Sequence, residues 1–599
     1  MERRVYLSMI TSLFVNLTCC LSISANDTDG GRIIKQLNSN LTATDRVNFI
    51  STMQGLTESF YTPSCESTYE AFLYLTGSQS LTPATLAMDT FSRAESRNEM
   101  FFAMFKPSNT VDWSGNIKGL QLNIDSSANG VLLDKDGNPA TDINSGRISD
   151  TATTFWSPSN DGNNVEQGGV GGLLANRDPV SNPRKLYSNT GSGAGKILLQ
   201  NFNDAYTNRA ASGYIDDASL YSDFAVTDQA SLTEMLNWAR GLDVDDVDGD
   251  NSTTDLRPWI LSDILHSQPL VVNYGARGGF SAADPDQRIF VGTNGGFMHM
   301  FGNSDGQEDW AFFPKELAPI LAKRRNNAAA TQHVYGIDAP ASSYLLDKNG
   351  DGTIDSTLGD KAYLFFGLGR GGKLIYAMDV SNPDSPSFLW QIDNTSIGFS
   401  ELGQTWSVPI VTTIGGYFDA LTKEPKPVLI FGAGYDTNKD ATGLVSPDSM
   451  GRGIYIIDAK DGSLVWSVTP SINTTKNLQE TGLIHSVPAN IRLMDSNGDR
   501  LTDRLYFADT GGNVWRIDMP GNSLPSSSQS LWQITKLANI NGATPATDRR
   551  FFNAPDVVRS KSKICTKLAT NGKCTVTSIV PFDAIMIGSG DRTRPNSMV

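Results

Sequence analysis

The chain has 599 residues, too many for one ordinary hydrophobic core, so several domains or one large repeat architecture are expected. Fifty-five glycines and 39% apolar residues suit a turn-rich β protein rather than a helical one. The balance of 48 basic against 64 acidic residues gives a net charge of −16, which repels phosphate backbones and anionic lipid, favours divalent cations, and excludes nucleic acid as a partner.

The amino terminus, MERRVYLSMITSLFVNLTCCLSISAND, has a basic start at Arg3 and Arg4, an apolar stretch, and small residues at Ser24 and Ala25. This pattern predicts a secretory signal peptide over residues 1–25, cleaved after Ser24 or Ala25. The apolar run is short for a membrane span. Lipidation at Cys20 would want a small residue where Cys19 stands. Removing the leader leaves Cys65, Cys565 and Cys574.

From residue 26 to about 255 the sequence is polar, an interaction region whose fold the pattern does not name. Its clearest helix is SLTEMLNWARGLD. There Ser231 and Glu234 form an expected capping box, and Leu232, Met235, Leu236 and Ala239 share a face. The acidic run DVDDVDGDNSTTD follows. Asp246, Asp248, Asp250 and Asp255 offer cation ligands in it, but the run reads first as a charged linker. DKDGN at Asp134 and DTNKD at Asp436 are incomplete loops, and NIDSSANG at Asp125 only grazes an adhesion-type cation motif.

Beyond residue 256 the chain repeats. A strand opening at a proline recurs at Pro269, Pro340, Pro409, Pro488 and Pro555. Proline is tolerated at a strand start because its missing N–H lies outside the ladder. Each such strand is followed by an apolar strand ending in glycine, from Arg288, Ala362, Pro427, Arg504 and Asp583. The first four repeats add a third strand and a fourth piece bearing Trp310, Trp390, Trp466 or Trp532. Four short antiparallel strands per unit describe β-propeller blades. His266 and His485 fall at matching places in the repeat and read as part of it, not as ligands. The fifth unit has two strands, so either the chain is truncated or another segment supplies the rest. A ring of seven blades would need roughly 170 further residues.

Two cation loops sit on this repeat. The first reads Asp347-x-Asn349-x-Asp351-Gly352-Thr353-x-Asp355. Oxygen donors at positions 1, 3 and 5, a carbonyl at 7, a donor at 9 and glycine at 6 let such a loop curl around Ca2+. The second reads Asp495-x-Asn497-Gly498-Asp499-x-Leu501-x-Asp503, with Arg500 at position 6. Thr353 and Leu501 would offer backbone carbonyls. Leu358 and Tyr506 stand at position 12, where a bidentate Glu would raise affinity. Both loops join the first and second strands of a blade, so an ion is expected to tie those two strands together.

Cys565 and Cys574 flank TKLATNGK, whose Asn571-Gly572 signals a hairpin turn, so a disulfide across that hairpin is expected. Cys65 then has no partner in the chain. Four scattered histidines form no H-E-x-x-H helix or hydrolytic triad. The glycine-rich FGLGRGG precedes no helix and is a turn rather than a phosphate cradle. An exported propeller also raises a quinone- and calcium-dependent periplasmic oxidoreductase as an alternative, but these loops lie within single blades rather than on a ring axis. A purely structural envelope scaffold is the third reading.

The segments SDILHSQPLVV, FVGTNGGFMHMF, LDKNGDGTIDSTLGDKAYLFFGLGRGGKLIYAMDVSNPDSP and LMDSNGDRLTDRLYFADTGGNVWRIDM, in that order, resemble the PilC/PilY family of type IV pilus biogenesis proteins over residues 256–595. The resemblance implies a quinoprotein-dehydrogenase-like β-propeller over residues 256–599, seven-bladed in full-length relatives and incomplete here, preceded by a mixed adhesion region at 26–255. It implies no enzymatic activity. The implied role is an exported, calcium-modulated pilus assembly factor and pilus-tip adhesin. Its partners would be minor pilins and a host-cell or abiotic surface, in association with the outer membrane. The calcium ligands it implies are Asp347, Asn349, Asp351, Thr353 and Asp355, and Asp495, Asn497, Asp499, Leu501 and Asp503. Some relatives carry a von Willebrand factor A-like module before the propeller; no such cation site is legible here.

Overall fold

The computed structural model describes residues 20–25, 31–36, 99–124, 130–142, 147–191, 197–201, 206, 216–329, 333–441, 447–471, 476–525, 532–542, 544, 547–568, 573–590 and 592. Cys65, the Asp125 motif, the Asn571-Gly572 turn and residues 1–19 of the expected leader lie outside them. Strands β1 (Cys20–Ala25) and β2 (Gly31–Gln36) open the described chain. The chain divides into two compact units, Gln79–Val411 with Asp458–Ser463, and Met1–Ser78 with Thr412–Ile457 and Leu464–Val599.

The first unit begins with an antiparallel sheet of β3 (Glu99–Lys106), β4 (Ser114–Ile124) and β5 (Gly130–Leu133), followed by helix α1 (Gly169–Ala175). After β6 (Leu186–Gly191) and β7 (Ile197–Asn201) come α2 (Asp217–Asp223) and α3 (Gln229–Ala239). The predicted face of α3 is correct, with Leu232, Met235, Leu236 and Ala239 all buried. Its cap is not as expected. Asp228 is the N-cap, accepting from the Ser231 N–H, while the Ser231 side chain answers the Asp228 backbone. A carboxylate four residues before the apolar stripe thus outcompetes the serine for the cap position.

The first repeat forms β8 (Leu270–Gly275), β9 (Asp286–Gly292), β10 (Met298–Gly302) and β11 (Glu308–Phe313). The N-terminal region extends this sheet, because β6 pairs in parallel with β11 and gives the order β7-β6-β11-β10-β9-β8. Helix α4 (Ala318–Asn326) leads to the second blade-like sheet, β12 (Ala341–Leu346), β13 (Lys361–Gly367), β14 (Leu374–Asp379) and β15 (Ser387–Asp393), in sequential antiparallel order. Successive side chains of a strand point to opposite faces. Ile289, Phe290 and Val291 are nonetheless all fully buried, as are Leu364, Phe365 and Phe366. Both faces of these sheets are therefore covered, which is why their inner strands read as unbroken apolar runs. Trp310 and Trp390 sit on the fourth strands and donate their indole N–H to the Pro383 and Ala459 carbonyls, at 2.7 and 3.1 Å.

A buried ion cluster ties the N-terminal region to the first blade. Arg184 meets Glu308 in a two-pronged contact, 2.6 and 2.8 Å, and His299 Nδ1 lies 2.7 Å from the same carboxylate. The Arg184 guanidinium also donates to the Ala239 carbonyl at the end of α3.

β16 (Ile410–Thr412), β17 (Val428–Gly432), β18 (Ile454–Asp458), β19 (Leu464–Thr469) and β20 (Asn477–Gln479) form the third sheet, of which β17, β19 and β20 lie wholly in the second unit. β21 (Arg492–Met494), β22 (Arg504–Ala508), β23 (Asn513–Asp518) and β24 (Gln533–Asn539) form the fourth. β25 (Asp556–Leu568) and β26 (Cys574–Gly588) are the two strands expected of the fifth repeat, and the Cys565–Cys574 disulfide joins them as predicted. β1 pairs with β26, and β2 with β1, giving a four-stranded order β2-β1-β26-β25. β1 and β2 thus stand beside the two strands of the fifth repeat. β1 lies inside the predicted leader, so cleavage after Ala25 would sever it from β2.

Candidate functional site

The loop from Asp347 to Asp355 leaves β12 and returns to β13. Asp347 accepts the Gly350 N–H on Oδ1 and the Gly352 N–H on Oδ2, at 2.7 and 2.8 Å. Asn349 Oδ1 accepts the Asp351 N–H while its amide donates to Asp351 Oδ2, and Asp351 Oδ1 accepts the Thr353 N–H. Gly350 and Gly352 both take positive φ, 72° and 90°.

The loop from Asp495 to Asp503, between β21 and β22, repeats this pattern bond for bond. Asp495 accepts from Gly498 and Arg500, again at 2.7 and 2.8 Å. Asn497 exchanges hydrogen bonds with Asp499, and Asp499 Oδ1 accepts the Leu501 N–H. Arg500 adopts φ 69°, the left-handed turn position 6 demands, at a cost of about 1 kcal/mol that glycine would avoid. Burial pushes the Asp495 carboxyl up, but the N–H groups of Gly498, Arg500 and Asn497 outweigh it and hold the group below the usual aspartate value.

Position 9 differs between the loops. Asp503 turns back into its loop, accepting the Ser496 N–H at 2.9 Å and the Ser496 hydroxyl at 2.7 Å. Asp355 instead caps the short turn at 356–358 through the Thr357 N–H and hydroxyl, bonds that lower its pKa. In the first loop the carboxylate that secures position 2 is Asp360, fully buried, which accepts from Lys348 and Asp355. Asp360 was not singled out from the sequence because it lies beyond the nine-residue motif.

Each loop also rests on the preceding sheet. The Ile354 N–H donates to the Tyr274 carbonyl at 2.9 Å, at the end of β8. Ile414 bridges Thr502 in parallel, the Thr502 N–H donates to the Thr413 carbonyl, and the Thr412 and Thr502 hydroxyls lie 2.7 Å apart, just past β16. Beyond the two strands of its own blade, each loop therefore also contacts the end of the first strand of the sheet before it. Gly275, φ 75°, permits the first contact, since a Cβ there would collide with the Gly352 carbonyl. Gly275→Ala is expected to weaken cation binding at the first loop several-fold and leave the second unchanged, which terbium luminescence titration would read loop by loop in Asp495→Ala and Asp347→Ala backgrounds.

A third segment takes the same course. Asp246 accepts the Asn251 N–H, Asp248 the Asp250 N–H and Asp250 the Ser252 N–H, with Gly249 and Asn251 at φ 76° and 66°. Asp246, Asp248 and Asp250 bring carboxylate oxygens within 4.8 Å of one another. Asp248 is raised above its ordinary value: the Asp250 N–H opposes, and burial with the charges of Asp250, Asp255 and Asp243 prevails. The segment is thus folded rather than a bare linker, and the signal was an asparagine where the other loops have glycine or arginine. Asp134 and Asp436, by contrast, spend their oxygens on local N–H groups, Asp136, Asn138 and Thr153 for the first and Asn438, Ser449 and Met450 for the second. His266 pairs with Asp338 at 2.7 Å, and His485 is buried near Lys439.

Residues 267–530 match the family described as the PilY1 beta-propeller domain. The chain is 26% identical over 378 residues to a type IV pilus biogenesis factor PilY1 of Pseudomonas aeruginosa strain UCBPP-PA14, covering 60% of this chain and 28% of that one. It is 28% identical over 319 residues to a PilY1 homolog of Xylella fastidiosa strain Temecula1, covering 48% and 19%. The match thus spans less than a third of either relative. Among solved structures, the Pseudomonas aeruginosa PilY1 C-terminal domain aligns with a TM-score of 0.31 at 22% identity, over 46% of this chain and 49% of that one.

Proposed function

We propose, from the premise that this chain belongs to the PilC/PilY family through the PilY1-type β-propeller of residues 267–530, that it is a calcium-modulated factor for type IV pilus biogenesis and a pilus-tip adhesin. The observation that carries the reading is the pair of matching loops inside that domain, each seated on the strand end of the sheet before it.

The donor set suits a hard cation: carboxylates at Asp347, Asp351, Asp495 and Asp499, amide oxygens at Asn349 and Asn497, and carbonyls at Thr353 and Leu501. Asp503 holds its loop through both oxygens on Ser496, whereas Asp355 caps the turn beyond its loop through Oδ1 alone. Bound Ca2+ would supply charge neutralisation to closely spaced carboxylates. The residues themselves hold the loop course and the contact with the neighbouring sheet, so occupancy stiffens the junction between two blades. Nothing in the arrangement calls for a bond-breaking step.

In this reading the protein is exported, associates with the outer membrane and the pilus tip, engages minor pilins and a host-cell or abiotic surface, and favours pilus extension over retraction. The test is Asp351→Ala with Asp499→Ala in the native host. Surface pili are expected to fall sharply where retraction operates and to return where the retraction motor is deleted, with adhesion reduced in both. Unchanged piliation and adhesion would leave a structural envelope scaffold instead.

A further inference from the structure

β25 and β26, of 13 and 15 residues, run beyond their sheet as a two-stranded ribbon. Of residues 561–567 and 573–579, all are exposed except the half-buried Ile564. A hairpin with neither face covered is marginal by itself in water. This one is closed near its tip by the Cys565–Cys574 disulfide.

Register decides which side chains share a face, because residues directly opposite across an antiparallel pair point the same way. Arg559 opposes Asp583 at the base, Lys561 opposes Pro581, and Lys563 opposes Ile579; past a bulge, Lys567 opposes Val576. Lys561 and Lys563 therefore share one face of the ribbon with Pro581 and Ile579, and past the bulge Lys567 and Val576 share the other; Ile579 is 62% and Val576 47% exposed. Residues 560–582 hold four lysines and no acidic residue in a chain of net charge −16. Among the described residues Lys561, Lys563 and Lys567 have no carboxylate partner. Arg559, at the base, is neutralised by Asp583.

The chemistry of this ribbon selects its occupant. Folded protein partners are anchored by buried Trp, Tyr and Arg, and lysine is depleted at such interfaces. Residues 560–582 contain none of those three anchors. A layer of phosphate headgroups makes the opposite demands: it accepts lysine ammonium groups at any spacing and takes short aliphatic side chains just beneath the charge. We propose that the β25–β26 ribbon, through Lys561, Lys563, Lys567, Val576 and Ile579, is the element by which this acidic protein contacts an anionic phospholipid surface. It concentrates positive charge at one projecting place while the remaining surface repels the same membrane. The proposal rests on the envelope location given above and adds the element that makes the contact.

The test uses the full purified chain with EDTA, so that no calcium bridges acid to acid, and sedimentation with vesicles of 30 mol% phosphatidylglycerol in phosphatidylcholine or of phosphatidylcholine alone. Binding is expected only with phosphatidylglycerol and should weaken with salt. At about fivefold per lysine, K561E/K563E/K567E is expected to lower partition about 100-fold or more. Val576→Ser with Ile579→Ser should lower it several-fold. Because all five side chains are exposed, the melting midpoint should stay within about 1 °C in both variants. Equal binding to both vesicles, binding to neither, or phosphatidylglycerol binding that survives charge reversal would overturn the proposal. Those results would leave the pilus reading standing if Asp351→Ala with Asp499→Ala still abolishes piliation.

Discussion

Glu308→Ala is expected to destabilise the first unit by about 3–5 kcal/mol, because it leaves the Arg184 guanidinium and the His299 ring buried without their shared carboxylate. At about 2–4 °C per kcal/mol for a domain of this size, the thermal midpoint of that unit should fall by about 6–20 °C. Glu308→Gln should fall nearly as far despite its shape, since the lost charge matters more than the lost volume. Replacing Arg184 and Glu308 together by Met and Leu should recover much of the loss, as buried pairs exchanged for apolar side chains often do.

The same cluster sets the acid sensitivity. Burial pushes the Glu308 carboxyl up, but Arg184 and His299 overcome it and hold it well below its ordinary value of 4.5. Its contribution is therefore whole above about pH 4.5 and drains as pH falls toward the folded value. His299 is lowered below its ordinary 6.5, with burial outweighing the pull of Glu308. The unfolded chain thus takes up that proton first as pH falls below about 6.5. Both effects remove stability on acidification. Melts by circular dichroism from pH 7.5 to 4 should show wild type losing stability progressively, with a shallower slope in Glu308→Ala. A midpoint for Glu308→Ala within 1 °C of wild type would contradict the assigned role.

Calcium titration of the full chain is expected to show that Asp347→Ala and Asp495→Ala each remove a separate binding event, with dissociation constants of about 10⁻⁴–10⁻³ M because neither loop carries a Glu at position 12. At a hundred times the dissociation constant each occupied loop stabilises its unit by about 2.7 kcal/mol, and the matching variant forfeits that increment. Position 9 gives the sharper test. Asp503→Ala should weaken its loop far more than Asp355→Ala weakens the other, because Asp503 also holds the loop course through both oxygens on Ser496 while Asp355 caps the turn beyond its loop through one oxygen on Thr357. Calorimetry on the four single variants reads this directly, and equal losses at Asp355 and Asp503 would show that the two loops close alike.

Much of the architecture was open to reading because it is written locally. A proline just before β8, β12, β16 and β25, glycines closing β9, β13, β17 and β26, and tryptophans on β11, β15 and β19 mark strand ends and turns through backbone restrictions acting over a few residues. Pro488 precedes its strand by four residues, since β21 begins only at Arg492. The oxygen spacing of the two loops is likewise local, and both adopt the backbone course that spacing implies.

What the amino-acid order determined by itself was the kind of element at each place: blade strands, the apolar face of α3, the Cys565–Cys574 hairpin, and loops with oxygens at alternate positions. The tertiary structure alone decided what each element meets. Glu308 and Arg184 lie 124 positions apart, Ile354 and Tyr274 80, and Lys563 reaches Ile579 only through a register that no single strand contains. Partners so distant in sequence leave no periodicity or spacing behind, because their contact depends on how sheets stack and strands pair rather than on the conformational preferences of neighbouring residues.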